Sequence, residues 1–282
     1  MNDPWLQSFI ERALEEDIGT GDHSSLASIP ARSTGHAILL AKEEGIVAGA
    51  DIARQVFLFI DPGIAVRLLK TDGEKVFPGD RVFEVEGSAH AILKCERLVL
   101  NIMQRMSGIA TQTRLYTEQL AGTQARLLDT RKTAPGMRYL EKLAVRIGGG
   151  ENHRMGLYDM ILLKDNHIDF AGGVKKALEK TRIYLQMNQL NLKVEVEARN
   201  LEEVKLILET GGADRIMLDN FTPEDLRQAV RLIGGVTETE ASGNITLQNI
   251  REYAETGVDF ISVGALTHHI KCLDMSLKAS KQ

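Results

Sequence analysis

Two kinds of hydrophobic pattern divide the chain. From about Thr34 to Gly87, short apolar runs alternate with turn signals: HAILLAK, EEGIVAG, AVRLLKT, a turn at Asp72-Gly73, KVF, the turn Pro78-Gly79-Asp80, and RVFEVEG. Runs of this length, punctuated by Gly, Pro and Asp, predict neighbouring antiparallel strands. Ahead of them, Trp5, Phe9, Ala13 and Leu14 stand at helical spacing, which predicts an amphipathic helix with those four on one side. From about His90 to Leu120 helical periodicity takes over, with Ile92, Leu93, Leu98, Leu100, Ile102 and Met103 as apolar positions. This predicts a long linking helix, with Ser107-Gly108 as the place for an interruption.

Beyond residue 125 the pattern becomes strand followed by helix, repeated. RLLDT, MILLK, KVEVE, RIMLD, TETEA and FISVG each precede a helical stretch, the alternation expected of parallel strands. Glu197, Asp219, Ala241 and Val263 follow one another at intervals of 22 residues, about one strand-helix unit, and this phasing favours a barrel over an open sheet. No GxGxxG follows the first strand and no GxxxxGKS occurs, so neither common nucleotide fingerprint applies. Gly148-Gly149-Gly150 reads as readily as a flexible loop as a phosphate cradle.

Composition narrows the function classes. At 282 residues and 43% hydrophobic content the chain buries a substantial core, in one large or two modest domains. With 34 basic against 39 acidic residues and a net charge of −5, it lacks the cationic excess of a nucleic-acid binder, and a small-molecule partner is expected. Cys95 and Cys272 are too few for a disulfide framework and have no metal-ligand spacing, which fits a reducing compartment. The first residues have neither the basic start nor the apolar core of a leader, and no run reaches transmembrane length. A cytoplasmic protein is expected.

In a parallel βα barrel the chemistry collects at the C-terminal ends of the strands. Here those ends are polar. Thr130-Arg131-Lys132 closes the first strand and Lys164-Asp165-Asn166-His167 the second; the third carries Glu195 and Glu197, the fourth Asp219-Asn220, the fifth Glu240 with Ser242-Gly243-Asn244, and the sixth Gly264. Residues 126–167 hold eight Arg or Lys against five Asp or Glu, a net of +3, which leaves −8 for the rest of a chain of net −5. Such a site suits a substrate with several negative charges, with arginines for carboxylate or phosphate and carboxylates for a metal or a developing cation.

Plainer readings exist for each group. Arg138, Lys142 and Arg146, four residues apart on a predicted helix, read as solvated or ion-paired residues. Glu197 and Asp219 also read as structural partners of the lysines, and His153 and His167 as satisfied loop histidines. Met103, Met106 and Met160 read as core filler. Lys164 at a barrel-strand end also fits a Schiff-base lyase. DGEKVFPGDRVFEVEG is similar to the hairpin of lipoyl and biotinyl carrier domains but has no lysine at its tip.

The segment DTRKTAPGMRYLEKLAVRIGGGENHRMGLYDMILLKDNHI, from Asp129 to Ile168, closely resembles the signature region of the quinolinate phosphoribosyltransferase family. ERLVLNIMQRMSGIAT (Glu96 to Thr111), VEVEA, IMLDNF, EASGNI, ISVGALTH and the early EEDIGTGDHSS resemble it in the same order, over nearly the whole chain. Met137, Tyr139 and the spelling GDHSS are minor departures outside the site positions. The acidic-pair fingerprint of type I phosphoribosyltransferases is missing, as expected for a separate barrel-based class. Relatives of the family associated with molybdenum transport take other substrates.

The resemblance implies an α/β enzyme with an N-terminal α/β sandwich, including the linking helix, over residues 1–109. An open α/β barrel of parallel strands follows over 110–270, and a tail over 271–282 packs back on the first domain. It implies transfer of phosphoribosyl from phosphoribosyl pyrophosphate to quinolinate with decarboxylation, on Mg²⁺, in a homo-oligomer, dimer or hexamer. By motif match, Thr130, Arg131, Lys132, His153, Arg154 and Lys164 resemble the quinolinate-binding group. Glu197 and Asp219 match the acidic pair near ribose and Mg²⁺, and Lys132, Lys164, Glu197 and Asp219 are the implied catalytic set. Ser242-Gly243-Asn244 and Val263-Gly264-Ala265 match phosphate-facing loops. Arg97 resembles an arginine that reaches a neighbouring subunit's site.

Overall fold

The computed structural model describes residues 3–280. The chain opens with α1 (Pro4–Ile18), α2 (His23–Ser28), β1 (Thr34–Ala41), β2 (Gly45–Ile46), α3 (Ala50–Ile60), β3 (Ala65–Leu68), β4 (Lys75–Val76), β5 (Arg81–Ser88) and α4 (Ala89–Gln119). It continues with β6 (Arg126–Leu128), α5 (Arg138–Gly148), β7 (Ile161–Leu163), α6 (Asp165–Ala171), α7 (Val174–Met187), β8 (Val194–Ala198), α8 (Leu201–Thr210) and β9 (Arg215–Asp219). It closes with α9 (Pro223–Ile233), β10 (Glu238–Ser242), α10 (Ile250–Ala254), β11 (Phe260–Ser262), α11 (Ala265–His268) and β12 (Met275–Ala279).

Contacts divide the residues into two units, and not by single cuts along the sequence. The first holds residues up to Arg114, Ala134–Gly149 and those from Ile270 onward; the second holds Leu115–Thr133 and Gly150–His269. Helix α5, inside the segment expected to form the barrel domain, thus belongs by contact to the first unit. Among the described residues no helix is long and apolar enough to cross a membrane.

The first unit is built on an antiparallel sheet of order β12-β1-β5-β3. The tail supplies its edge, with Ala37 opposite Ala279 and Ala41 opposite Met275. Strands β2 and β4 form a separate two-stranded ribbon. Because β4 pairs with β2 while β5 pairs with β1 and β3, the segment that resembles a carrier-domain hairpin is not a hairpin. Helix α1 starts where the Asp3 carboxylate accepts the Trp5 and Leu6 amides, with Pro4 at the first position, where its missing N–H costs nothing. Its buried stripe is Leu6, Ile10 and Leu14, rotated from the predicted face; Trp5 and Phe9 lie at its margin, stacked at 5.3 Å.

Helix α4 runs unbroken through Ser107-Gly108, so the predicted interruption does not occur. The pair has packing roles instead. Ser107 Oγ accepts the Ala48 amide at 2.9 Å, and a Cβ on Gly108 would stand 2.2 Å from the Lys271 carbonyl oxygen, so glycine lets the tail cross the helix in close contact. Helix α3 escaped the strand-and-turn reading of its region. Its apolar residues Ile52, Ala53, Val56 and Phe57 recur at helical intervals and are buried.

The second unit carries six parallel strands in the order β6-β11-β10-β9-β8-β7. Strands β6 and β7, consecutive in sequence, stand at opposite ends of the row, so the cylinder is open there. The register is less even than the 22-residue phasing suggests: Ala198 pairs with Leu218, Leu218 with Ala241 and Ala241 with Ile261, at spacings of 20, 23 and 20 residues. Glu197 therefore lies opposite Met217, while Asp219 lies opposite Ser242. Side chains alternate across a strand, so Val194, Val196 and Ala198 share one face of β8 while Glu195 and Glu197 share the other. On the inner face, Glu195, Arg215 and Glu238 come into one row across three strands, where barrels usually pack branched aliphatics.

Candidate active site

A cavity of about 710 Å³ opens at the C-terminal ends of the parallel strands. Thr130, Arg131 and Lys132 line it just after β6, His153 and Arg154 come from the stretch before β7, and Lys164 follows β7. Asp219 and Asn220 close β9, while Ser242, Gly243 and Asn244 run off β10 and Val263, Gly264 and Ala265 off β11. All of the expected barrel residues except Glu197 line this one cavity. Glu197 sits immediately behind it, only 6% exposed, with Oε2 3.6 Å from Lys164 Nζ.

Arg97 is elsewhere. It is exposed on α4 in the first unit, beside a separate hollow of about 190 Å³ with Ala13, Glu16, Asp17, Leu98 and Asn101. Arg138, Lys142 and Arg146 also belong to the first unit and do not line the large cavity; Lys142 is buried and Arg146 exposed. Gly148-Gly149-Gly150 is no phosphate cradle. Gly148 closes α5 where a Cβ would meet the Ala110 carbonyl oxygen at 2.6 Å, and Gly149 caps the helix in the left-handed region. Met103 and Met106 are fully buried, as core filler should be. Lys164 is half-exposed with the Glu197 carboxylate 3.6 Å from its Nζ, a neighbour that favours the charged ammonium over the neutral amine a Schiff base needs.

The cationic wall is held from behind. Asp129, buried at the end of β6, accepts the His153 amide at 2.8 Å through Oδ1 and the Asn152 side-chain amide at 2.5 Å through Oδ2. The His153 ring then accepts the Arg154 amide on Nδ1 at 2.7 Å, and Arg154 reaches the Met160 carbonyl at 3.1 Å. Burial, followed by the charge of Arg131, holds the Arg154 guanidinium below its ordinary proton affinity. Two neighbouring cations under mutual repulsion make a preformed anion site. His167 is a local fixture: its Nδ1 accepts the Lys164 amide at 3.0 Å at the start of α6.

Beside Lys164 the chemistry is acidic. Burial raises the proton affinity of both Glu197 and Asp219, and the Lys164 ammonium opposes the rise in each. The Asn220 side-chain amide donates to Asp219 Oδ2 at 2.7 Å. Asn220 and Asn244, both in the left-handed region, are joined by a 3.0 Å hydrogen bond from Asn244 Nδ2 to Asn220 Oδ1. Gly243 lies between them at a φ of +94°, with room for no Cβ.

Sequence reasoning stopped short of several lining residues. Met217 and Ser262 are inner-face positions of β9 and β11, and their period-2 alternation was the available signal. His268 lies one helical turn after Gly264, and a Cβ on Gly264 would meet His268 Nε2 at 2.8 Å and Lys132 Cδ at 2.9 Å. The Glu240 carboxyl forms part of the floor, fully buried, and burial together with the charge of Glu195 pushes it up to about 7. Glu195, Glu240 and His153 also bring three potential ligand atoms within 4.8 Å of one another.

Comparison with known proteins identifies the family. Residues 22–107 match the family model described as quinolinate phosphoribosyl transferase, N-terminal domain, and residues 109–278 match its C-terminal domain. The chain is 49% identical over 288 residues to a chloroplastic nicotinate-nucleotide pyrophosphorylase [carboxylating] of Arabidopsis thaliana, covering 97% of this chain and 82% of that protein. It is 44% identical to a probable nicotinate-nucleotide pyrophosphorylase [carboxylating] of Bacillus subtilis, covering 98% and 94%. The solved structure of the nicotinate-nucleotide pyrophosphorylase from Francisella tularensis is similar with a TM-score of 0.90 at 42% identity, covering 98% of this chain and 96% of that one.

Proposed function

Because the chain belongs to the quinolinate phosphoribosyltransferase family, we propose that this cavity binds quinolinate and phosphoribosyl pyrophosphate and joins them with loss of carbon dioxide. The products are nicotinate mononucleotide, carbon dioxide and pyrophosphate, a step of de novo NAD biosynthesis. The observation that carries the reading is the convergence of Arg131, Lys132, Arg154 and Lys164 on one cavity that Asp219 also lines, with Glu197 3.6 Å from Lys164. Quinolinate is a dianion with adjacent carboxylates, and binding it needs cations in place beforehand.

In this reading Arg131 and Arg154 take the carboxylates in forked contacts, Lys132 and Lys164 add charge, and Thr130 and His153 complete the pocket. The Ser242-Gly243-Asn244 and Val263-Gly264-Ala265 turns, small and close to the cavity, receive phosphate. As pyrophosphate leaves, positive character grows at the ribose C1 carbon, and the Glu197 and Asp219 carboxylates stabilise it. The ring nitrogen supplies the electron pair for the new bond and becomes cationic. Its charge then stabilises the pair left on the adjacent carbon when carbon dioxide departs, and that carbon takes a proton.

Glu197 and Asp219 would hold Mg²⁺. Magnesium commonly takes one or two carboxylates and completes its shell with water and substrate phosphate, and this donor set offers two carboxylates beside the phosphate-receiving turns. When bound, the ion supplies charge neutralisation of the leaving pyrophosphate. The His153, Glu195 and Glu240 cluster is a poorer magnesium site, since it offers an imidazole and already faces the Arg215 guanidinium. We place the enzyme in the cytoplasm, supported by two free cysteines, and as a homo-oligomer in which exposed Arg97 completes a neighbouring subunit's site.

The test is a direct assay with quinolinate, nicotinate and nicotinamide, each with phosphoribosyl pyrophosphate and Mg²⁺. Quinolinate alone should react, releasing one carbon dioxide per nucleotide. Turnover of nicotinate at a comparable kcat/KM, or nucleotide formation without carbon dioxide, would overturn the proposal.

A further inference from the structure

The inner face of the second unit holds a column of charged side chains beneath the cationic wall. At its base the Arg215 guanidinium carbon lies 3.8 Å from the centre of the Phe260 ring. Arg215 donates to Glu238 Oε2 through Nε at 3.3 Å and Nη2 at 3.1 Å, and to Glu240 Oε2 through Nη1 at 3.0 Å. Above them His153 Nε2 stands 3.0 Å from Glu195 Oε2 and 3.5 Å from Glu240 Oε2, between the two. Glu195 and Glu240 are both fully buried.

The proton on His153 follows from its other side. Nδ1 accepts the Arg154 main-chain N–H at 2.7 Å, and an amide can only donate, so Nδ1 carries no hydrogen and the ring proton is on Nε2. The ring is thus a bridge: its Nε2–H faces the buried acids, and its Nδ1 fixes the main chain of an arginine that lines the cavity. Electrostatics argues against a merely structural column. Buried ionic groups are often neutral or costly for stability relative to apolar residues of similar volume. Glu195 Oε1 and Oε2 and Glu240 Oε1 also lack a well-formed hydrogen bond in this interior, a cost aliphatic packing would avoid.

We infer that Arg215 and Glu240 are positioning residues for quinolinate: with Glu195 they hold the His153 ring, and through it Arg154, in the binding geometry before substrate arrives. The inference rests on the reading of this cavity as the quinolinate site. Arg215 and Glu240 act through His153 and touch no reacting atom. The close approach of three ligand-type atoms has another explanation, a metal ion, but an ion on Nε2 would displace the proton to Nδ1, where the Arg154 amide now donates.

Three measurements test this. In Glu240→Leu and Arg215→Met the KM for quinolinate should rise about tenfold or more, since displacing a binding group by about 1 Å costs up to about 10²-fold. The KM for phosphoribosyl pyrophosphate should stay within about threefold; each single replacement leaves a buried ionic partner behind and lowers the melting temperature, so both variants are assayed at a temperature where they are fully folded. Glu240→Gln, which keeps a polar oxygen where Glu240 Oε2 stands 3.5 Å from His153 Nε2, should recover the quinolinate KM to within about threefold of wild type. ¹⁵N spectra of histidine-labelled wild type, assigned through His153→Gln, should show the Nε2–H tautomer. An unchanged quinolinate KM in Glu240→Leu, equal rises in both KM values, or an Nδ1–H tautomer would each overturn the inference. Should Glu240→Leu not fold, Arg215→Met and the spectrum decide the matter by the same criteria. Arg154→Ala separates the two levels: a wild-type quinolinate KM there removes the site assignment itself, whereas a raised KM beside a silent Glu240→Leu removes only the positioning role.

Discussion

Gly243→Ala is the sharpest single perturbation of the phosphate side of the cavity. A Cβ at this position would stand 2.3 Å from Asn220 Oδ1 and 2.7 Å from its Cγ, on a backbone with φ +94°. Left-handed backbone costs alanine about 1 kcal/mol. The collision is with a side chain that holds two contacts: Asn220 Nδ2 donates to Asp219 Oδ2 at 2.7 Å, and Oδ1 accepts from Asn244 Nδ2 at 3.0 Å. Displacing Asn220 forfeits about 1.5 kcal/mol or more for the bond to the carboxylate and about 1 kcal/mol for the neutral one, less what water restores at this exposed edge. The sum is roughly 2–4 kcal/mol. Strain should lower the melting temperature by about 2–4 °C per kcal/mol for a chain of this size. Release of Asp219 should lower kcat/KM for phosphoribosyl pyrophosphate about tenfold to a hundredfold, with a smaller change for quinolinate. The decisive assay is a double-mutant cycle. In an Asn220→Ala background the colliding side-chain atoms are gone and only the residue-220 backbone nitrogen, 3.0 Å away, stays close, so Gly243→Ala should cost the backbone strain and that tight contact, about 1–2 kcal/mol. An equal cost of Gly243→Ala in both backgrounds would refute the collision, and a wild-type kcat/KM in the single variant would refute the coupling to Asp219.

Three further outcomes follow from other parts of the molecule. Gly108→Ala in α4 should destabilise in urea despite the roughly 1 kcal/mol that alanine gains over glycine in a helix, because its Cβ meets the Lys271 carbonyl oxygen at 2.2 Å and overpacking costs about 1–3 kcal/mol or more; an unfolding midpoint at or above wild type would contradict this. Glu240, raised from 4.5 to about 7 in the folded state, keeps a proton that the unfolded chain has lost, so its contribution to stability is full below pH 4.5 and declines as pH rises to about 7. Glu240→Gln should therefore flatten the fall of unfolding free energy across that window, by up to about 1.4 kcal/mol per pH unit, and an unchanged slope would show that Glu240 does not hold the proton. Arg97→Ala mixed with Lys164→Ala under confirmed subunit exchange should regain activity through hybrid sites, and failure to complement would exclude a shared site.

Much of the candidate site was legible because its signals are local. Strands β6 to β11 were readable from apolar runs of a few residues, and the polar residues at their ends needed only the rule that a parallel barrel gathers chemistry there. Arg131, Lys132, Arg154, Lys164 and Asp219 indeed line one cavity. Local signals also misled. The buried stripe of α1 falls on Leu6, Ile10 and Leu14, rotated from the face of Trp5, Phe9, Ala13 and Leu14 that helical spacing alone suggested. Gly108 read as a break in α4 because helix propensity sees one residue, whereas its reason lies with Lys271, far along the chain.

While it missed α3, the sequence by itself determined the alternation of strand and helix from β6 to β11, the cations and carboxylates available, and a family whose signature runs nearly end to end. Each of these depends on residues within a turn or a strand of one another, or on direct likeness to known chains. Tertiary structure alone decided that the tail pairs with β1, that the cylinder is open between β6 and β7, and that Glu197 sits behind the wall while Asp219 reaches the cavity. It alone set Glu195, Arg215 and Glu240 beneath His153. Such contacts join residues that are 20 or more positions apart, and only the register and packing of the whole sheet bring their side chains within reach.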